Sequence, residues 1–152
     1  MADIVEIAIV GSGPGGISAA ARAAELKVPH VLLEAAPHLS NTIYRYQKGK
    51  HVMAEPEALP LRSPLPFTAG SRESILDAWD QGVARLGVNV RHGAEVSAIK
   101  KLEDGTFEIS IGRKDKVLAK NVVLGIGLQG NIRRLGVPGD DAPFVQDRKS
   151  VV

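Results

Sequence analysis

Apolar residues in this chain come as short continuous runs near the N-terminus and as strict alternation further on. That change of period separates two kinds of sheet. Ile4, Val5, Ile7, Ala8, Ile9 and Val10 form a run suited to a strand buried on both faces. Residues 17–26 are alanine-rich with no breaker inside, which predicts a helix. Val31, Leu32 and Leu33 follow as a second buried strand. Strand, helix and strand in this order make a βαβ unit.

Between Pro37 and Gly70 the periodicity disappears, broken by Pro37, Pro56, Pro60, Pro64 and Pro66. A loop of that length inside a domain is usually functional or disordered. Tyr44, Tyr46 and the apolar Ile43, Val52, Met53, Leu59, Leu61 and Leu65 favour an ordered excursion that packs against something. Ser71 then offers an N-cap for a helix running to about Leu86. Ile75, Leu76, Trp79, Val83 and Leu86 share one face of that helix, and Gly87 is placed to end it. Residues 88–90 predict a third core strand.

The period then becomes two. Residues 96–102 and 106–111 join across Asp104-Gly105, a strong hairpin signal. A third strand at 116–120 follows the polar turn 112–115, and residues 121–127 return to a continuous apolar strand ending in glycines. The expected fold is α/β: a Rossmann-like parallel sheet with an inserted three-stranded antiparallel β-meander, incomplete at its C-terminal end. Residues 1–146 would form the domain, with 147–152 as a tail outside the fold, since that segment has no turn, cap or helix pattern. There is no internal repeat.

Composition removes several functions. With 19 basic and 17 acidic residues the net charge is only +2, so no basic field is left over for nucleic acid. The absence of cysteine excludes a disulfide framework, a cysteine-bound zinc, an iron–sulfur cluster and a thiol pair within these residues. It is compatible with the cytoplasmic location expected here. The apolar stretch 4–24 is interrupted by glycines and Pro14 and has no basic residues before it, so neither a signal peptide nor a membrane span is predicted. His30, His38, His51 and His92 are scattered without metal-ligand spacing, and no metal site is expected. No nucleophile–base arrangement can be argued, and no catalytic residue is assigned.

The chemistry lies in Gly11-Ser12-Gly13-Pro14-Gly15-Gly16, a G-x-G-x-x-G run. A buried strand precedes it, a helix follows it, and Glu34 closes the next strand about 20 residues further on, which together make a dinucleotide-binding fingerprint. Gly11 permits the tight turn, Gly13 lets the backbone approach a pyrophosphate, and Gly16 lets helix and strand pack closely. The helix N-terminus offers N–H groups and partial positive charge to phosphates, and Ser12 suits hydrogen bonding better than nucleophilic attack. Glu34 can accept from the ribose hydroxyls of an adenosine. Ala35, Ala36 and Pro37 supply no arginine for a 2′-phosphate, so the site suits FAD or NAD better than NADP. Lys27 stands where a glycine usually closes the first helix of such a unit.

Residues 7–16 followed by Leu32-Leu33-Glu34 resemble the N-terminal FAD fingerprint of the two-dinucleotide-binding-domain flavoproteins, with Pro14 in a G-x-G-P pattern characteristic of them. The meander before a strand and glycine turn matches too, although Gly125-Ile126-Gly127 replaces the usual Ala-Thr-Gly. The nearest resemblance is to the thioredoxin-reductase-like branch of the pyridine nucleotide-disulfide oxidoreductase superfamily. It includes bacillithiol-disulfide-reductase-like proteins that share an Ile-Tyr-x-Tyr stretch, here Ile43-Tyr44-Arg45-Tyr46. The stretch 46–56 is similar to multidomain bacterial oxidoreductases that carry cyclic-nucleotide-binding or ferredoxin-type domains. The resemblance implies FAD at the glycine run, the backbone of Val96 beside the adenine, and Gly127 passing close to the cofactor. It also implies that Lys48, Lys50 and His51 lie in a loop over the flavin, where a cation stabilises the reduced ring. In such flavoproteins the chain continues into an NAD(P)H domain and returns to complete the FAD domain. The partners expected are therefore the dinucleotide, that domain or a partner chain, and a second copy in a homodimer. NAD(P)H is expected only for a complete member, which would pass hydride from nicotinamide to flavin. Two alternatives stay open: an NAD-binding domain of a dehydrogenase, and a truncated non-catalytic nucleotide-binding fragment.

Overall fold

The N-terminal apolar run forms β1 (Ile4–Val10), and its second half, Ala8, Ile9 and Val10, is buried. This computed structural model describes residues 4–53, 62–127, 136–139 and 142. After β1 come α1 (Pro14–Glu25), β2 (His30–Leu33), α2 (Asn41–Tyr44), β3 (His51–Val52) and β4 (Gly70–Ser71). Next are α3 (Arg72–Leu86), β5 (Val90–Arg91), β6 (Val96–Lys101), β7 (Phe107–Ile111) and β8 (Asp115–Leu124). Six strands form one sheet in the order β5-β2-β1-β8-β7-β6, and β3 pairs with β4 alone. β1 runs parallel to β2 and β8, and β2 parallel to β5, while β7 runs antiparallel to both β8 and β6. This is the Rossmann-like α/β architecture expected.

Alternate residues of the central strands point to opposite faces, which divides the core in two. Ile9 and Leu32 meet Ile17, Ala20 and Ala21 of α1 and Trp79 and Val83 of α3 on one face. Ala8, Val31 and Leu33 meet Ile109, Ile111 and Ala119 of the antiparallel strands on the other. The small alanines of α1 let that helix lie close against β1 and β2.

The structure corrects three expectations. The strands expected at 116–120 and 121–127 are one ten-residue strand, β8, antiparallel to β7 in its first half and parallel to β1 in its second. The meander is therefore continuous with the parallel sheet. The strand runs on through Lys120-Asn121 because β1 pairs with it from Leu118 to Leu124, and Glu6 of β1 also receives both side chains, its carboxylate taking Lys120 Nζ and its carbonyl taking Asn121 Nδ2 at 3.0 Å. The third core strand is shorter and later than expected, at Val90–Arg91. Val88 N–H is used to close α3 on Val83 O, and Asn89 N–H donates to His30 Nε2. Met53, expected to pack, is 66% exposed.

The proline-broken segment is otherwise an ordered excursion. Leu39, Ile43 and Leu65 are buried, and Tyr46, Val52 and Phe67 pack against the same core. Trp79 Nε1 donates to Pro66 O at 2.8 Å. Leu59, Leu61, the tail 147–152 and the boundary at 146 lie outside the described residues. α3 has its expected ends: Ser71 Oγ accepts from Ser74 N–H at 3.1 Å, and Gly87 adopts the left-handed conformation at φ +65°.

Candidate functional site

The glycine run lies where β1, α1 and β8 converge. Gly11 has φ +92°, and a Cβ placed on it would come within 2.5 Å of Gly125 O. A Cβ on Gly16 would lie 1.8 Å from Gly11 O, which no rearrangement short of moving backbone relieves. Gly125 completes the crossing, with its own Cβ position 3.1 Å from Gly16 Cα. The glycine at 125, where the family resemblance has alanine, thus suits a tight junction of this chain.

Gly13 and Gly15 are different. Gly13 has ordinary extended geometry (φ −64°, ψ 177°), its Cβ position has only Gly125 O at 3.9 Å nearby, and that of Gly15 has nothing within 4 Å. Neither backbone conformation nor packing among the described residues calls for glycine there. Gly13 is also the N-cap of α1, with no side-chain cap, Pro14 at the first turn and no acidic residue within that turn. The first N–H groups of α1, which begin after Pro14, therefore receive no side-chain cap and have the positive end of the helix dipole behind them. The open glycine positions and uncapped helix end match the shape and charge of a diphosphate.

Glu34 ends β2 beside this loop and is 8% exposed. Its Oε2 accepts from Ser12 N–H at 2.9 Å and from the Ser12 hydroxyl in a short contact, and its Oε1 accepts from Ala36 N–H at 2.8 Å. A carboxylate with those three donors still has an acceptor direction free on Oε1. Ser12 in turn is held by Ser40, a residue that sequence reasoning missed. Ser40 N–H donates to Ser12 Oγ at 2.9 Å, and Ser40 Oγ–H donates to Ser12 O at 2.9 Å. A single serine in an aperiodic segment gives no signal of such a role.

The remaining expected site residues lie apart from this knot. Val96 opens β6, half-buried against the second core. Gly127 follows β8, exposed, at φ +66°. Lys48 is exposed, and Lys50 and His51 lie at the start of β3, with Lys50 Nζ 4.4 Å from the Tyr46 ring centroid and its carbonyl accepting from Arg72 N–H. No hydrogen bond among the described residues joins Lys48, Lys50 or His51 to the glycine run. His30 and His38 are structural. His30 Nδ1 lies 2.8 Å from Val28 O while its Nε2 accepts from Asn89 N–H, which places the ring proton on Nδ1. His38 stacks on Tyr44 with ring centroids 3.6 Å apart.

A cavity of about 380 Å³ lies elsewhere, between α3, β5 and the turn at 37–39, lined by His38, Leu39, Asp80, Val83, Val90 and His92. Partial burial, reinforced by the neighbouring Asp77 carboxylate, raises the Asp80 pKa above the ordinary aspartate value, and His92 and His38 partly offset this. None of its lining residues belongs to the glycine run.

The family model described as pyridine nucleotide-disulphide oxidoreductase matches residues 8–150. The chain is 28% identical over 139 residues to a ferredoxin–NADP reductase of Ignicoccus hospitalis, covering 90% of this chain and 41% of that protein. The chain thus spans about two fifths of the length of that curated relative. Among solved structures, a bacillithiol disulfide reductase of Staphylococcus aureus superposes with TM-score 0.76 at 25% identity, over 93% of this chain and 44% of that one. The crystal structure of OTEMO in complex with FAD and NADP shares the fold, with TM-score 0.71 at 16% identity over 91% of this chain and 28% of that one.

Proposed function

The chain belongs to the pyridine nucleotide-disulphide oxidoreductase family, and from that premise we propose that it forms the FAD-binding part of an NAD(P)H-dependent flavin oxidoreductase. The observation that carries this reading is the pair Gly13 and Gly15. Their Cβ positions are open, among the described residues, at the uncapped N-terminus of α1, so a side chain there would obstruct a ligand without clashing with any described part of the chain. The diphosphate of FAD fits that opening, with Gly11, Gly16 and Gly125 holding the three backbones that shape it.

In this reading each residue has a task of binding or orientation. The N–H groups at the start of α1, after Ser12, Gly13 and Pro14, hold the diphosphate. Glu34 receives a hydroxyl of the adenosine ribose on the free acceptor direction of Oε1. The backbone of Val96 flanks the adenine, and Gly127 allows a close pass of the segment after β8. Lys50 and His51, with Lys48, belong to the loop proposed to cover the flavin and place positive charge near it. Bound FAD would supply the redox chemistry, taking hydride from a reduced nicotinamide. A nicotinamide-binding domain is proposed to come from further chain or a partner, in a cytoplasmic setting.

Gel filtration of the purified chain after incubation with FAD tests the proposal. The flavin absorption band is expected to elute with the protein. Glu34→Ala should weaken FAD binding by about 1–3 kcal/mol, the loss of a charged hydrogen bond. Retention of NADH without FAD would instead indicate a dehydrogenase domain, and retention of neither a non-catalytic fragment.

A further inference from the structure

Ser40 combines three features that seldom coincide in a loop serine. It is 1% exposed, it has a left-handed backbone (φ +51°) that side-chain-bearing residues disfavour, and both its donors serve one residue, Ser12. A strained conformation of this kind persists only where surrounding bonds over-determine it. Here the bonds are Ser40 N–H to Ser12 Oγ at 2.9 Å and to Ser12 O at 3.1 Å, and Ser40 Oγ–H to Ser12 O at 2.9 Å.

The consequence reaches Glu34. Ser40 Oγ–H, anchored on Ser12 O, keeps Ser40 N–H against a lone pair of Ser12 Oγ, so the Ser12 hydroxyl proton is turned onto Glu34 Oε2, where Ser12 N–H also arrives at 2.9 Å. Oε2 is then filled by two donors, and Oε1, already holding Ala36 N–H, keeps one acceptor direction. The carboxylate is presented in a single orientation with a single vacancy.

We propose that Ser40 is a positioning residue for sugar recognition: acting through Ser12, it fixes the Glu34 carboxylate so that one hydroxyl of an adenosine ribose is read at Oε1. This rests on the nucleotide reading of the site. It assigns discrimination between ribose and deoxyribose to a residue that need not touch the ligand.

Titration calorimetry of the full chain with ADP, 2′-deoxy-ADP and 3′-deoxy-ADP tests this. The wild-type chain should bind ADP about tenfold more tightly than one of the two deoxy analogues, the effect of one hydrogen bond to a charged group. Ser40→Ala should narrow that ratio to threefold or less. Ser40→Gly also lacks the hydroxyl but adopts the left-handed conformation freely, so it is free of the backbone strain that the alanine variant keeps. It should narrow the ratio as well. A purely structural serine would lower affinity for all three nucleotides together, in step with melting temperature, and leave the ratio intact. An unchanged ratio in either folded variant overturns the proposal. A wild-type chain that binds ADP without discriminating either analogue overturns it too, through the loss of the ribose contact. Failure of the wild-type chain to bind ADP at all defeats the nucleotide reading itself, a distinguishable result.

Discussion

Gly15 and Gly16 are adjacent in sequence and answer to different demands. Gly16 is required by the fold, because a methyl group there would sit 1.8 Å from Gly11 O. Gly15 has no such neighbour, and at a helical position alanine is favoured over glycine by about 0.5–1 kcal/mol. Gly16→Ala is therefore expected to destabilise the chain by at least the 1–3 kcal/mol of an overpacked core. Gly15→Ala should melt at or above the wild type yet bind FAD at least tenfold more weakly. Thermal melts and FAD titrations of the two variants check the split, and undiminished FAD binding by Gly15→Ala would remove the main support for the phosphate site. Lys27 gives a second residue-scale expectation. It takes φ +56° just past α1, while Val28 N–H reaches Ala23 O and Lys27 N–H reaches Ala24 O, the bonding of a glycine-terminated helix. Lys27→Gly should stabilise the chain by about 1 kcal/mol in a denaturant titration, since the left-handed conformation then carries no side-chain penalty.

At the scale of elements, what was legible depended on whether the signal was local. α3 was readable at both ends because a serine cap and a left-handed glycine are set by the residues themselves, and the β6–β7 hairpin because Asp104 accepts from Thr106 N–H at 2.9 Å beside Gly105. β8 was misdivided because its continuity depends on backbone pairing with β1, more than a hundred residues earlier in the chain. The glycine run and Glu34 were readable as a motif. Ser40 was not, because its role arises only when the loop after β2 folds back on Ser12. α3 also carries a pH expectation through Asp80. Burial and Asp77 raise its folded pKa above the unfolded value of 3.8, so the folded state binds the extra proton and stability declines as pH rises from 3.8 through the folded pKa. Asp80→Asn should raise the melting temperature at neutral pH, within the ~0.5 kcal/mol range of a surface change, and the gain should vanish below pH 3.8. Melting curves across that range check the sign, and a variant less stable than wild type at neutral pH contradicts it.

For the whole molecule, β8 is the strand that joins the parallel and antiparallel halves of the sheet, and it is paired unequally. Asp115 to Ala119 pair with β7, and Leu118 and Ala119 have β1 on the other side as well. From Asn121 to Leu124 it keeps β1 but, among the described residues, has no strand on the opposite edge. Three exposed apolar residues lie at the same end: Val123 is 38% exposed, Leu124 61% and Ile126 66%. Unpaired backbone donors and acceptors beside apolar side chains form a template for another strand. This is where further chain or a partner would complete the sheet. If so, the chain alone should associate as its concentration rises in sedimentation velocity, and the double variant Leu124→Lys, Ile126→Lys should shift it towards monomer. A wild-type chain that stays monomeric throughout would instead place the cover for this edge within the chain itself.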